Sequence, residues 1–314
     1  MNNEIFAQVF AVTAPVFTMV LLGALLKKIR LIDDAFIGTA SMLTFKATMP
    51  TLLFLSILRA DLSTALQPWL VGYFCIATCL TFAGAWAWAA RRVPAAERGI
   101  YVQGAFRGNC GIISLALAAG LYGDYGLSVG GVMAGLIIVV FNVLSTLVLS
   151  VYGGGYRTTA WTVLRDLARN PLIIAVAAGL LGSVAGLSLP HWLLVSGDYF
   201  AGITLPIALI CVGGSLSLSA FCRSGSLALG ASLIKVLWSP LLFTPLAWAL
   251  GFGGRELGIL FLFLASPTAA VSYVMAKAAG SDGRLAASII AISTLLSAAS
   301  VMAGLFLLGL LGIA

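Results

Sequence analysis

The residues best suited to chemistry in this chain are Arg107-Gly108-Asn109-Cys110-Gly111, in the middle of a long apolar stretch. A guanidinium offers five fixed donors and a permanent charge, and an amide offers donors and acceptors together. Two flanking glycines lower the cost of leaving helical geometry. A second such place is Ser266-Pro267-Thr268, and the offset that carries Gly108 onto Ser266 also carries Asp124 onto Asp282. Pro267 has no N–H and clashes with the preceding turn, so a helix cannot run through it unbroken. Both stretches therefore read as helix interruptions at membrane depth. Unwound backbone there exposes N–H and C=O groups and is tolerated only inside protein or against a water-filled cavity. The half-helix that follows each break turns its positive dipole end inward, toward any anion. The candidate substrate-binding set is Arg107, Asn109, Cys110, Gly111, Ser114, Ser266, Pro267, Thr268 and Ser272. The alternative is that glycine and proline here mark only kinks or close helix packing.

What must hold these breaks is set by composition. The chain has 314 residues, 61% hydrophobic and 9% charged, against roughly 25% charged in a soluble domain. It is an integral membrane protein with little mass outside the bilayer. Ten-residue segments of alternating hydrophobicity, the mark of a β-barrel, are absent. The N-terminus lacks a basic region and a cleavage site, so no cleavable signal peptide is expected. The five cysteines lie in or beside apolar segments without a C-x-x-C pair and read as small buried residues. A net charge of +7 sets loop topology here and excludes a nucleic-acid role.

Hydropathy predicts ten segments, at about 5–26, 36–58, 68–90, 99–121, 127–151, 171–186, 199–220, 226–250, 256–279 and 284–312. The expected fold is all-α and polytopic, with ten transmembrane helices. A first repeat of five covers 1–152, a cytoplasmic connection 153–170, and a second repeat 171–314. Pro190 and His191 are expected in the loop before segment 7. Loops after odd-numbered segments hold most of the Lys and Arg, including Lys27, Arg91, Arg169 and Arg284, whereas the opposite loops hold only Arg59 and Arg255. The basic loops should face the cytoplasm and both termini the other side. Two homologous units of five segments then insert with opposite orientation, an inverted repeat of the kind secondary transporters use, with helices 4 and 9 both broken.

Embedded charge narrows the solute. Arg107, Lys46 and Lys235 fall inside apolar segments, and every Asp and Glu falls at a segment end or in a loop. A mid-bilayer charge costs at least about 2.5–3.5 kcal/mol on insertion scales, so these cations need a partner, and a small organic anion could supply it. For Lys46 and Lys235, substrate contact stands beside snorkelling or donation to a carbonyl in an unwound turn. Without embedded carboxylates, cation exchange is not expected. Coupling to a proton or sodium gradient stays open and would use backbone carbonyls, a water path or the solute's own charge. No nucleophile–base pair, metal-ligand spacing or dinucleotide fingerprint occurs, so neither an enzyme nor a cofactor is expected. His191 reads as interfacial.

The motifs Arg107-Gly-Asn109-Cys-Gly111…Tyr122-Gly123-Asp124, Pro267-Thr-Ala…Gly280-Ser-Asp282 and Ser293-Thr294-Leu-Leu-Ser297, with Lys235…Pro240, span nearly the whole chain. In these the chain resembles the auxin efflux carrier family, which includes plant PIN carriers and bacterial malonate and malate permeases. The resemblance implies a crossover in segments 4 and 9, and a scaffold of segments 1, 2, 6 and 7 that also forms a homodimer surface. It implies a moving transport domain of segments 3–5 and 8–10. It further implies elevator-type transport of small organic anions across the cytoplasmic (inner) membrane. Break one lacks the proline of the plant members, and their long cytoplasmic loop is missing. Both departures argue against an auxin substrate, and the short loop, like that of the bacterial members, favours a dicarboxylate such as malonate or malate. The alternatives are an auxin-like monocarboxylate efflux carrier, or a solute sensor or channel on the same fold.

Overall fold

A computed structural model describes residues 2–60, 66–153, 161, 165, 168–216, 225–281 and 283–313. Asp282, Cys222, Arg223 and the connecting-loop residues Gly154, Gly155, Arg157 and Asp166 lie outside them. Every named element among the described residues is helical. In chain order these are α1 (Asn2–Lys28), α2 (Asp34–Leu43), α3 (Met49–Arg59), α4 (Pro68–Arg92), α5 (Ala95–Phe106), α6 (Leu115–Tyr152) and α7 (Pro171–Val184). There follow α8 (His191–Gly202), α9 (Thr204–Ser215), α10 (Ser226–Leu233), α11 (Ser239–Ala249), α12 (Gly254–Leu264), α13 (Val271–Ala278) and α14 (Arg284–Leu310). Among the described residues, 7 continuous helical stretches are long and apolar enough to cross a membrane. The apolar helix α7 has 14 residues, and α5, α12 and α13 are the shorter pieces at the two breaks.

Among the described residues, three π-helical turns interrupt the regular winding, and two sit immediately before a residue–proline pair. Thr44–Thr48 precedes Met49-Pro50, and Ile234–Trp238 precedes Ser239-Pro240. The missing proline N–H leaves the carbonyl four residues back without its helical donor, and a wider turn absorbs the mismatch. Behind Pro240 that carbonyl belongs to Val236, and the Ser300 hydroxyl donates to it. The third π turn, Cys110–Ser114, follows break one directly.

Two boundaries differ from expectation. Segments 4 and 5 are joined without a loop: helix continues through Asp124, and the direction changes at Gly123, whose φ of 57° and ψ of −136° lie outside helical space. Glycine alone adopts that conformation at little cost. Segment 7 begins earlier than hydropathy suggests. Pro190 occupies the N-cap and His191 is the first residue of α8, because proline's fixed φ suits a helix start even in a polar context. A single turn residue, Ile203, separates α8 from α9. By contrast, α7 starts where expected, with the Asn170 side chain accepting from the Leu172 N–H at 2.9 Å.

The helices pack in two groups. In one, α1 lies along α9 and α3 along α7, with α2 and α8 beside them. In the other, α4–α6 pack with α10–α14. The α1–α9 contact is backbone-close. A Cβ on Gly23 would strike the Ile210 carbonyl, and one on Gly213 would strike the Val20 carbonyl. Small residues at such crossings are how helices associate where lipid supplies no hydrophobic drive. The outer faces carry exposed Leu, Ile, Phe and Trp side chains such as Trp69, Leu181 and Trp192. That surface suits acyl chains.

Candidate functional site

The two breaks meet. Arg107 leaves α5 with extended backbone, and Gly108 pairs with Thr268 in an isolated antiparallel bridge. The Asn109 N–H donates to the Pro267 carbonyl at 2.7 Å, and the Ala269 N–H donates to the Arg107 carbonyl at 3.0 Å. Each unwound strand thus satisfies the other, which meets the demand that buried backbone be paired. The approach is close enough that a Cβ on Gly108 would collide with the Ser266 hydroxyl.

The helix ends at the crossing are capped by side chains. Helix α12 stops at Leu264, and its last carbonyls need donors from elsewhere. The Ser114 hydroxyl donates to Leu262 O at 2.8 Å, and the Lys235 ammonium donates to Leu264 O at 2.6 Å. Between them, the Phe263 carbonyl sits four residues before Pro267 and so lacks a helical partner. The Cys110 thiol reaches it at 3.7 Å and also lies 3.5 Å from Ser266 Oγ. Thr268 Oγ1 donates to Gly104 O of α5 at 2.7 Å, and the Thr268 N–H donates to Ser293 Oγ at 3.0 Å.

Beside this network lies a cavity of about 1180 Å³. Break one lines it with Arg107, Gly108, Asn109, Cys110 and Gly111, and break two with Ala269, Ala270 and Val271. The facing wall is largely apolar, with Met49 and Leu53 of α3, Leu172 of α7, and Ala208 and Val212 of α9, and it also carries Ser41, Thr44, Asn170 and Ser215. Ile137, Ile138, Phe141 and Asn142 of α6 complete it, and Lys27, Asp34 and Arg284 stand among its outer residues. Both packing groups therefore line the cavity. Cys110, Gly111, Ala270 and Val271 lie at the starts of the two second half-helices, where first-turn N–H groups have no acceptor further back along the helix. Both dipole ends face this space.

Arg107 is 4% exposed. Its Nη1 donates to Phe141 O at 3.2 Å and Ser145 Oγ at 3.0 Å and contacts Met275 Sδ at 3.3 Å. Its Nη2 donates to Asn142 Oδ1 at 2.8 Å, and the guanidinium carbon lies 6.0 Å from the Phe141 ring centroid. Among the described residues, neutral groups of α6 and α13 help fix the charge in place.

A buried crossover of two broken helices beside a solute-sized cavity is transporter architecture, and comparison with known proteins decides the family. The chain matches the family described as "Membrane transport protein" over residues 8–156 and 155–303. The chain belongs to the auxin efflux carrier family of membrane transport proteins. It is 27% identical over 289 residues to an uncharacterized transporter of Methanothermobacter thermautotrophicus, covering 91% of this chain and 93% of the relative. It is 24% identical over 295 residues to an uncharacterized transporter of Methanocaldococcus jannaschii, covering 90% and 93%.

In this transporter the predicted site residues divide into two sets. Arg107, Asn109, Cys110 and Gly111 line the cavity. Ser114, Ser266, Pro267, Thr268 and Ser272 do not: they are buried, with Ser114, Pro267 and Thr268 bonded to backbone across the crossing and Ser266 against the Cys110 thiol. Ser272 Oγ is buried without a hydrogen-bond partner among the described residues. Lys235 is buried behind the crossing and donates to a carbonyl, the structural role weighed for it above. Lys46 is exposed on the π turn before α3 and does not line the cavity. Residues missed from sequence are Asn142, Ser145 and Met275, which hold Arg107, while Ser293, of the Ser293-Thr294-Leu-Leu-Ser297 motif, accepts from the second break. Asn142 and Ser145 carried a usable signal: an amide and a hydroxyl three residues apart, hence on one helix face, inside the apolar run Ile137–Leu149.

Proposed function

We propose that this transporter carries small organic anions, with the solute held in the cavity between the two packing groups. The observation that carries the reading is the fixed Arg107 guanidinium at a cavity wall where two half-helix N-termini converge. A guanidinium and first-turn N–H groups are matched to carboxylate oxygens. A dicarboxylate such as malonate or malate would place one carboxylate on the Arg107–Asn109 side and the other toward Ala270 and Val271. A second reading, a monocarboxylate with an apolar body, is favoured by the facing wall of Met49, Leu53, Ile138 and Leu172.

The architecture proposed for this activity has ten membrane segments in two inverted repeats. Helices α1–α3 and α7–α9 form the scaffold and a homodimer surface, and α4–α6 with α10–α14 form a transport domain that moves past it. Loop basicity puts the termini outside the cytoplasmic membrane and the face bearing Lys27 and Arg284 in the cytoplasm. The cavity then opens inward, and an elevator-like shift of the transport domain would carry the crossover to the other side. Coupling to a proton or sodium gradient remains part of this proposal without assigned residues.

Counterflow in proteoliposomes tests the reading. Labelled malonate, malate or benzoate should accumulate faster when the same unlabelled anion is loaded on the opposite side. Equal rates with and without internal anion would point to a channel, and no uptake of any organic anion would refute the assignment.

A further inference from the structure

Asn142 sits on α6, where it lines the cavity and is half-buried. Its Oδ1 accepts from Arg107 Nη2 at 2.8 Å. A guanidinium can only donate, so the amide must turn its oxygen to Arg107 and its NH2 group away. That NH2 group carries two N–H donors and makes no hydrogen bond among the described residues, yet it is not sealed inside the protein. Asn109 presents a second side-chain amide at the same cavity, also without a hydrogen bond among the described residues. The wall thus combines a held positive charge with outward-facing amide donors contributed by segments far apart in sequence.

We propose that Asn142 is a further anion-binding residue: Oδ1 anchors Arg107, and Nδ2 donates to the same carboxylate that the guanidinium attracts. This rests on the organic-anion reading above. The arrangement makes selectivity depend on an amide in particular. An aspartate at this position would still accept from Arg107, but it would offer no donor. It would place a negative charge at the carboxylate site and pair internally with the guanidinium. An alanine would remove both the anchor and the donor.

The full-length purified protein in detergent should be titrated with sodium malonate and sodium benzoate, with sodium chloride as the ionic-strength control, reading melting temperature and Kd. Wild type is expected to be stabilised by at least one of the two anions. For Asn142→Ala the Kd should rise about 10- to 100-fold, the loss of one hydrogen bond to a charged group. For Asn142→Asp the ligand-free melting temperature should be at or above that of wild type, while stabilisation by the anion is lost. A structural role alone would move stability and affinity in the same direction. Wild-type affinity in both variants would overturn the assignment of Asn142 and leave the anion reading standing. Should the aspartate variant fail to fold, wild-type affinity in Asn142→Ala overturns it alone. Wild type unmoved by either anion, with the chloride control equal, overturns both.

Discussion

The two breaks are bound to each other by the same reciprocal backbone bonds, yet they present different chemistry. Break one turns Arg107 and Asn109 to the cavity, while break two shows it only Ala269, Ala270 and Val271. The polar side chains of break two face the crossing. Thr268 caps α5, and Ser266 meets Cys110. The difference follows from where each helix loses its donors. Pro267 removes an N–H within the second break and orphans the Phe263 carbonyl, which Cys110 of the first break reaches, while Ser114 and Lys235 cover the neighbouring Leu262 and Leu264 carbonyls. Break one has no proline; Cys110 stands where it can serve the carbonyl that the other break's proline orphans. One break is largely a bonding surface for the crossing, and the other presents a guanidinium and an amide to the cavity.

Substitutions can break or sharpen that contrast. The largest effect is expected at Gly108. Gly108→Val drives a side chain into Ser266, with Lys235 and Cys110 close behind. Overpacking of that kind costs roughly 3 kcal/mol or more, so little monodisperse protein should survive size-exclusion chromatography. Next is Ser293→Ala. It strips the acceptor from the buried Thr268 N–H at a cost of about 1–3 kcal/mol. A lower melting temperature with unchanged anion Kd would place break two on the structural side, and a raised Kd with unchanged stability would argue the reverse. Cys110→Ala removes only a weak thiol donor, and a loss of about 1 kcal/mol or less is expected in the same assay. Smallest is Lys46→Gln. The side chain is exposed and away from the cavity, so counterflow rates should match wild type.

Much of this was legible in the sequence, and the limits have physical causes. Glycine, proline and embedded polar residues mark where a helix must stop, and both breaks fall where they do. The direction of a side chain on unwound backbone is another matter, because no helical period governs it. Ser266, Thr268 and Ser272 looked equivalent to Asn109, and only the crossing shows that they face inward. Asn142 lies 35 residues from Arg107, and its role depends on how α6 returns past the break after the Gly123 bend. That bend sat inside an expected loop. The start of α8 was hidden because Pro190 and His191 are polar-loop residues by composition and a helix entry by geometry.

The most direct test is the charge at break one. Arg107→Gln keeps a donor and most of the volume but removes the positive charge, whereas Ser266→Ala alters break two without touching the cavity. Titration of both proteins with the anion that stabilises wild type should show a Kd raised by about 100-fold or more for Arg107→Gln, the scale expected on losing a charged partner. Ser266→Ala should bind as wild type does. Wild-type affinity in a folded Arg107→Gln protein, or loss of binding confined to Ser266→Ala, would contradict the account.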